Sequence, residues 1–276
     1  MQHITYHLQL PGSMPYAKLT TYILDTSPEM AMKKRPLMLI CPGGGYEYTS
    51  DREAESFALQ FMAFGYHAAV LCYSCAPVRY PQALLELASS ITLLRGNAQE
   101  WNIEEEQIFL VGSSAGGHLV ASYGNFWNGD VIAKGIGLEG PDKEVLRPFG
   151  MILCYPVITS GKYAHRGSFE NLLGERYDEL LALMSLEDQV NADTPQAFVW
   201  HTFEDDCVPM ENSLLFVGAM KAANIPVEFH LFPAGGHGLA LANALTDRVG
   251  GGMVQAQCQS WISLAHAWIE HRLNRS

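Results

Sequence analysis

The chain has 276 residues, which is enough for one large α/β domain or two small ones. Hydrophobic residues make up 48% of it, charged residues only 17%, and the formal net charge is −12 with the histidines neutral. An acidic chain without a basic run is a poor partner for nucleic acid or an anionic membrane surface, and no stretch has the unbroken apolar length of a membrane span, so we expect neither kind of partner.

The beginning of the chain and the cysteines bear on its compartment. Residues 1–7 contain neither the charged segment nor the apolar core of a signal peptide, so we predict a cytoplasmic protein. The six cysteines are scattered, unlike the dense disulfide framework of a small secreted domain. Cys72 and Cys75 have the spacing of a redox or zinc pair, but no second pair follows, and we favour free thiols that are buried or half-buried.

Short apolar runs recur along the chain, and each of them predicts a strand. These runs are residues 4–10, 18–25, 36–41, 66–73, 107–111, 149–155, 197–203 and 227–232. The first two are joined by a turn signal at Pro11-Gly12 and predict an antiparallel pair, whereas most later runs are apolar throughout, as buried parallel strands are.

Stretches with helical spacing of apolar residues separate most of these runs. They cover residues 51–64, 81–100, 178–184, 211–223 and 260–272. Alternating strands and helices predict a doubly wound α/β sheet in a single domain that covers residues 1–276. Residues 159–195 are longer than an ordinary connection and are either a small lid-like insertion over a site or a surface excursion with no role in binding.

The run Gly112-Ser113-Ser114-Ala115-Gly116 carries the clearest chemical signal. It reads Gly-x-Ser-x-Gly, follows an apolar strand and precedes residues that can continue as a helix, which is the context of a nucleophile elbow. Glycines are needed there because the serine backbone is strained and crowded. The serine hydroxyl would point out of the sheet, and the backbone N–H of Ala115 would be free to bind an oxyanion.

A serine nucleophile needs a histidine base, and that histidine needs a carboxylate to orient it. The strand at 197–203 leads into the acidic loop Glu204-Asp205-Asp206, and the next strand leads to His237 between glycines. This order, serine then acid then histidine, is that of the α/β-hydrolases. His118 and His201 lie on a predicted helix and strand and are expected to support structure.

A second donor for the oxyanion is expected from the glycines at 43–45, which follow an early strand. A phosphate-binding loop is disfavoured, because no Lys-Ser/Thr follows and the spacing is not Gly-x-Gly-x-x-Gly.

Four segments together resemble the lipase- and esterase-type α/β-hydrolases, and in particular their acetyl-xylan-esterase-like branch. They are Pro42-Gly43-Gly44-Gly45-Tyr46, residues 73–81 with Ala76-Pro77 and Tyr80-Pro81, residues 112–119, and residues 201–209 with Gly236-His237-Gly238. The chain departs from the family pattern at Pro42, where a histidine is usual, and at Ser74-Cys75, where an arginine is usual.

The resemblance implies an α/β-hydrolase fold with about eight mostly parallel strands and helices on both faces. It implies hydrolysis of short acyl esters, such as acetyl groups on xylan-derived sugars, without a metal or organic cofactor. It assigns Ser114 as nucleophile, His237 as base and Asp205 as orienting acid, preferred to Asp206 for its distance from Val208-Pro209. The N–H groups of Gly44, Gly45 and Ala115 would then hold the oxyanion.

Several alternatives stay open. Tyr46 and Tyr155 are either walls of a small acyl pocket or ordinary core residues. The same scaffold also carries serine peptidases and amide hydrolases, and inactive binding proteins that keep the shape. The sequence does not decide whether the chain is a monomer or a homo-oligomer.

Overall fold

One sheet of eight strands forms the centre of the computed structural model, which describes residues 1–138 and 143–274. The strands are β1 (Gln2–His7), β2 (Lys18–Ile23), β3 (Arg35–Cys41), β4 (His67–Cys72), β5 (Ile103–Ser113), β6 (Gly150–Cys154), β7 (Ala197–Thr202) and β8 (Val227–Phe232). Their order across the sheet is β1-β2-β4-β3-β5-β6-β7-β8. Strand β2 pairs antiparallel with β1 and β4, and every other pair is parallel. The predicted fold class is therefore confirmed.

Helices cover both faces of this sheet. They are α1 (Glu55–Ala63), α2 (Gln82–Gly96), α3 (Ala98–Trp101), α4 (Ala115–Phe126), α5 (Asp130–Gly135), α6 (Arg166–Leu173), α7 (Tyr177–Leu180), α8 (Glu211–Ala222) and α9 (Trp261–Leu273). Within residues 1–138 and 143–274, no helix has the length and apolar character needed to cross a bilayer.

Alternation along the buried strands creates a separate apolar core on each face. In β3, Leu37 and Leu39 join the core beneath α2, α4 and α8, whereas Met38 and Ile40 join the core beneath α1 and α9. Successive side chains of a strand point to opposite faces, so a strand that is apolar throughout can bury both of them. This is why the uninterrupted apolar runs predicted parallel strands correctly.

The differences from the predicted elements have local causes. Strand β5 begins at Ile103, which is fully buried and lies before the predicted start of the strand. The polar run Glu104-Glu105-Glu106 lacks the apolar pattern on which the prediction is based. The helix predicted over 81–100 is divided between α2 and α3 at Asn97, and α5 and α6 were not predicted. Both are short, and a short helix carries a weak periodic signal.

All six cysteines are free thiols. Burial raises the pKa of Cys75 to about 12, with a smaller contribution from Cys72, so this thiol stays protonated at neutral pH. The Sγ atom of Cys72 lies 3.3 Å from the hydroxyl of Thr49. The expectation that the thiols are buried or half-buried is wrong for Cys207, which lies on an exposed loop beside Asp205.

Candidate active site

The carboxyl ends of the parallel strands meet at one edge of the sheet, and the predicted site residues follow them. The glycines at 43–45 follow β3, Ser114 follows β5, Asp205 follows β7 and His237 follows β8. Ligands of open α/β sheets bind in the crevice outside the carboxyl ends of the strands. Residues distant in sequence are brought together here by the topology alone.

Ser114 lies at the sharp turn between β5 and α4, with φ +52° and ψ −120°. A side chain on residue 116 would place its Cβ 2.0 Å from the carbonyl oxygen of Cys41, and one on residue 112 would lie 2.3 Å from the oxygen of Gly116. Only glycine allows strand and helix to approach so closely. This packing forces the strained turn that presents the Ser114 hydroxyl.

Ser114, His237 and Asp205 form a chain of hydrogen bonds. The Oγ atom of Ser114 lies 2.7 Å from Nε2 of His237, and Nδ1 of His237 lies 2.7 Å from Oδ2 of Asp205. A carboxylate only accepts hydrogen bonds, so Nδ1 carries the ring proton. Nε2 then accepts from the serine hydroxyl, which is the arrangement that a general base requires.

The environment of Asp205 keeps its carboxylate charged. Its Oδ1 accepts hydrogen bonds from the backbone N–H groups of Cys207 (3.1 Å) and Val208 (2.8 Å). Burial by itself would raise the pKa of Asp205, but hydrogen bonds from His201 and His237 outweigh burial and hold this pKa well below its ordinary value. Asp206, the alternative acid, is exposed and turned to solvent.

His201 supports this carboxylate from below. The ring is fully buried, with Nδ1 2.7 Å from the hydroxyl of Ser213 and Nε2 2.8 Å from the carbonyl oxygen of Val208. Because a carbonyl only accepts, Nε2 is the protonated nitrogen, and it also lies 3.3 Å from Oδ2 of Asp205. The structural role expected for His201 therefore includes orientation of the acid loop.

The loop after β3 offers unused backbone donors beside Ser114. Gly44 has φ +130°, and a Cβ there would lie 2.1 Å from the carbonyl oxygen of Tyr48, so glycine is required. Gly44 and Gly45 line the same cavity as Ser114 and His237. Among the described residues, none accepts a hydrogen bond from the N–H of Gly44, Gly45 or Ala115.

A buried glutamate, Glu53, braces the loop that follows β3. Glu53, which is 3% exposed, accepts from the N–H of Gly43 at 2.8 Å and from the hydroxyl of Tyr155 at 2.6 Å. The hydroxyl of Tyr73 donates to the carbonyl oxygen of Pro42 at 2.7 Å. The loop is therefore held in place by Glu53 and Tyr73, although Pro42 departs from the family pattern described above.

Tyr46 and Tyr155 do not form walls of the site, and this prediction is corrected. Both rings are buried, 3% and 1% exposed, and neither lines the cavity beside Ser114. The Tyr155 hydroxyl is held between Glu53 and the N–H of Ala240, and its ring packs edge-on against His237 at 5.3 Å. Tyr155 thus positions the ring of His237, and Tyr46 belongs to the core beneath the elbow.

Tyr46 is joined to His118, and this pair predicts a pH dependence of stability. The hydroxyl of Tyr46 lies 2.9 Å from Nδ1 of His118, whose Nε2 lies 3.1 Å from the carbonyl oxygen of Met184. Burial lowers the pKa of His118 from 6.5 to about 4. His118 therefore becomes protonated near pH 6.5 in the unfolded chain but only near pH 4 in the folded chain. Between these two pH values the unfolded chain binds more protons, so acidification favours unfolding.

We expect the free energy of unfolding to fall by about 3 kcal/mol from this residue between those two pH values, at about 1.4 kcal/mol per pKa unit. Thermal unfolding followed by circular dichroism from pH 7 to pH 4.5 measures it. The variant His118→Gln should show a shallower fall in Tm; an unchanged slope would contradict the assignment. Burial also lowers the pKa of His67 to about 4, so this residue should maintain part of the pH dependence of Tm in the His118→Gln variant.

The cavity beside Ser114 has a volume of about 620 Å³, within the usual range of small-molecule sites. His165, for which the sequence offered no signal, lines it together with His237. His165 is the N-cap residue that precedes α6 in the segment 159–195, and Asn171 of α6 donates to the carbonyl oxygen of Gly45 at 3.0 Å. The segment thus lies against the site, while its role as a lid stays a prediction.

Both the sequence and the fold are similar to those of known proteins. The family model described as BD-FAE matches residues 24–220. The chain is 40% identical over 216 residues to endo-1,4-beta-xylanase B of Butyrivibrio fibrisolvens, and 27% identical over 208 residues to an acetylxylan esterase of Xylanibacter ruminicola. These matches cover 76% and 71% of this chain but 33% and 39% of the relatives, so the chain spans well under half the length of either.

Two crystal structures resemble it along nearly their whole length. The carboxylesterase Cest-2923 from Lactobacillus plantarum superposes with a TM-score of 0.83 at 30% identity, covering 99% of this chain and 98% of that one. The acetyl ester-xyloside bifunctional hydrolase from Caldicellulosiruptor lactoaceticus superposes with a TM-score of 0.80 at 37% identity, covering 92% and 88%.

Proposed function

The chain belongs to the BD-FAE family, within the α/β-hydrolases that its sequence resembles, and from this premise we propose that it is a serine esterase. Its substrates would be short acyl esters, foremost acetyl esters of xylan-derived or other carbohydrates. The observation that carries the proposal is the hydrogen-bonded chain Ser114–His237–Asp205, with 2.7 Å at each link, beside three unused backbone donors. This arrangement serves nucleophilic acyl transfer.

In the proposed mechanism, the Ser114 oxygen forms a bond to the ester carbonyl carbon while Nε2 of His237 takes the hydroxyl proton. The carbonyl oxygen becomes an oxyanion that accepts hydrogen bonds from the N–H groups of Ala115 and Gly44, with Gly45 beside them. The bond to the alcohol oxygen then breaks, and His237 gives that oxygen the proton. A water molecule repeats the sequence on the acyl-enzyme, releasing the carboxylic acid and restoring Ser114.

Asp205 stays ionised throughout, because the hydrogen bonds that hold its pKa low remain in place. Its charge fixes the tautomer of His237 and stabilises the imidazolium that forms in each half-reaction. No step of this chemistry calls on a group other than the chain's own residues and water.

The acyl preference is tested with p-nitrophenyl esters from acetyl to octanoyl, and with acetylated xylo-oligosaccharides as carbohydrate substrates. We expect kcat/KM to be highest for acetyl and to fall at least tenfold towards octanoyl. A preference for octanoyl would contradict the short-acyl proposal. The corresponding amide, p-nitroacetanilide, is the comparison substrate. Faster cleavage of this amide than of p-nitrophenyl acetate would favour the amide-hydrolase alternative instead.

Acetate release from the oligosaccharides separates a carbohydrate esterase from a general one. We propose carbohydrate esters as substrates because one similar protein is an acetylxylan esterase and another is an acetyl ester-xyloside bifunctional hydrolase. Hydrolysis of the aryl esters without release of acetate from the sugars would keep the serine esterase and reject the sugar substrate.

A further inference from the structure

A second cleft adjoins the catalytic cavity across the loop that follows the oxyanion glycines. It has a volume of about 370 Å³, and Glu47, Tyr48 and Thr49 line both it and the cavity that contains Ser114. Tyr16 and Lys18 line the second cleft but not the catalytic cavity. Because the two spaces share lining residues they are neighbours, and a ligand that occupies both must be longer than a single ring and pass over residues 47–49.

Two tyrosine side chains that line this cleft are exposed to solvent. Tyr48 is 60% exposed and Tyr16 is 41% exposed. The Tyr16 hydroxyl accepts a hydrogen bond from the N–H of Cys75 at 3.0 Å, which anchors the tip of its ring. The backbone N–H of Tyr48 donates to the carbonyl oxygen of Gly44 at 3.2 Å, which fixes the backbone that carries the second ring. Aromatic area left in contact with water is unfavourable for folding alone, and it is typical of a binding surface.

The polar groups of the cleft identify the kind of ligand. Lys18 supplies a donor, Glu47 an acceptor and Thr49 a hydroxyl, so the cleft has hydrogen-bonding groups of both kinds and opposite charges that balance. A balanced cleft suits a neutral ligand better than an anion, and its polar rim suits hydroxyl groups better than an alkyl chain. A sugar ring matches both features, because its apolar C–H face can pack on an aromatic ring while its hydroxyls reach the rim.

We propose that this second cleft, formed by Tyr16, Lys18 and residues 47–49, binds the sugar ring next to the one that carries the ester. The substrate would then be an acylated oligosaccharide of at least two rings, with the ester-bearing ring beside Ser114 and its neighbour on Tyr48. This inference rests on the proposed esterase function and specifies the alcohol part of its substrate.

The test compares two acetyl esters that differ in length, an acetylated methyl xyloside with one ring and an acetylated xylotetraose with four. We expect wild-type kcat/KM to be at least tenfold higher for the longer ester, chiefly through a lower KM. Tyr48→Ala should reduce this ratio to about one. Tyr48→Phe, which keeps the ring and loses only the hydroxyl, should preserve the ratio and excludes a general disturbance of the loop.

Leu59→Ala is the matched control, because Leu59 is 47% exposed on α1 and lines neither space. This variant should keep the wild-type ratio. A wild-type ratio near one, or a high ratio that survives Tyr48→Ala, would overturn the proposal while acetate is still released by the enzyme. Absence of Ser114-dependent release from both esters would instead show that the esterase proposal itself fails.

Discussion

Replacing Ser114 with alanine is expected to lower kcat for p-nitrophenyl acetate by three orders of magnitude or more. The variant keeps the cavity, the backbone donors and the base, but it has no atom that can form the acyl-enzyme, and water attack aided by the oxyanion donors alone is slow. The backbone of residue 114 is already at φ +52° with serine, and alanine adds no bulk there. We therefore expect a folded protein with wild-type Tm, so that the loss reports on chemistry.

A matched substitution controls for this interpretation. Ser122 is also buried, at 3% exposed, and lies on α4, the helix that follows Ser114, but it is not part of the site. Ser122→Ala should keep turnover within about twofold of wild type. A fluorophosphonate should label the wild-type chain and Ser122→Ala, and leave Ser114→Ala unlabelled. Full activity in Ser114→Ala would end the assignment of the nucleophile, whatever the labelling shows.

The elbow could be predicted from sequence because its causes are local. The run from Gly112 to Gly116 encodes a strand end, a turn that needs glycine on both sides of the serine and a helix start, all within a few residues. The acid and base loops could be predicted because each follows an apolar strand, and parallel strands bring their carboxyl ends to one edge. Backbone topology therefore predicted which loops meet.

The remaining features depend on side chains that meet only in the folded chain. Glu53 braces Gly43 from a helical turn, Tyr155 folds back onto it, and Asn171 reaches Gly45 from a distant helix. No periodicity or motif marks such contacts, since each needs the loops to be in place first. The same reason explains why the sequence leaves Tyr46 as a candidate for the pocket and offers no signal for His165.

The choice between two adjacent acids predicts the second large effect. Asp205→Asn should lower kcat by about 10³- to 10⁴-fold, because an amide in this position can present its N–H₂ to His237 and select the wrong ring tautomer. Asp206→Asn should stay within about twofold of wild type, since that side chain is exposed and makes no contact with the base. The pair is closely matched, as both changes remove one charge from the same loop.

The thermal stability of the two variants separates an effect on His237 from damage to the loop. The pKa of Asp205 is lower in the folded chain than in the unfolded one, so its charge stabilises the fold at neutral pH and this contribution is lost as the pH falls below the ordinary carboxyl range. Asp205→Asn removes that contribution, and its Tm at pH 7 should fall more than that of Asp206→Asn. If the two variants lose activity equally, the orienting acid is not Asp205 alone. If Asp205→Asn loses Tm but keeps kcat, its carboxylate holds the loop through the N–H groups of Cys207 and Val208 and does not orient His237.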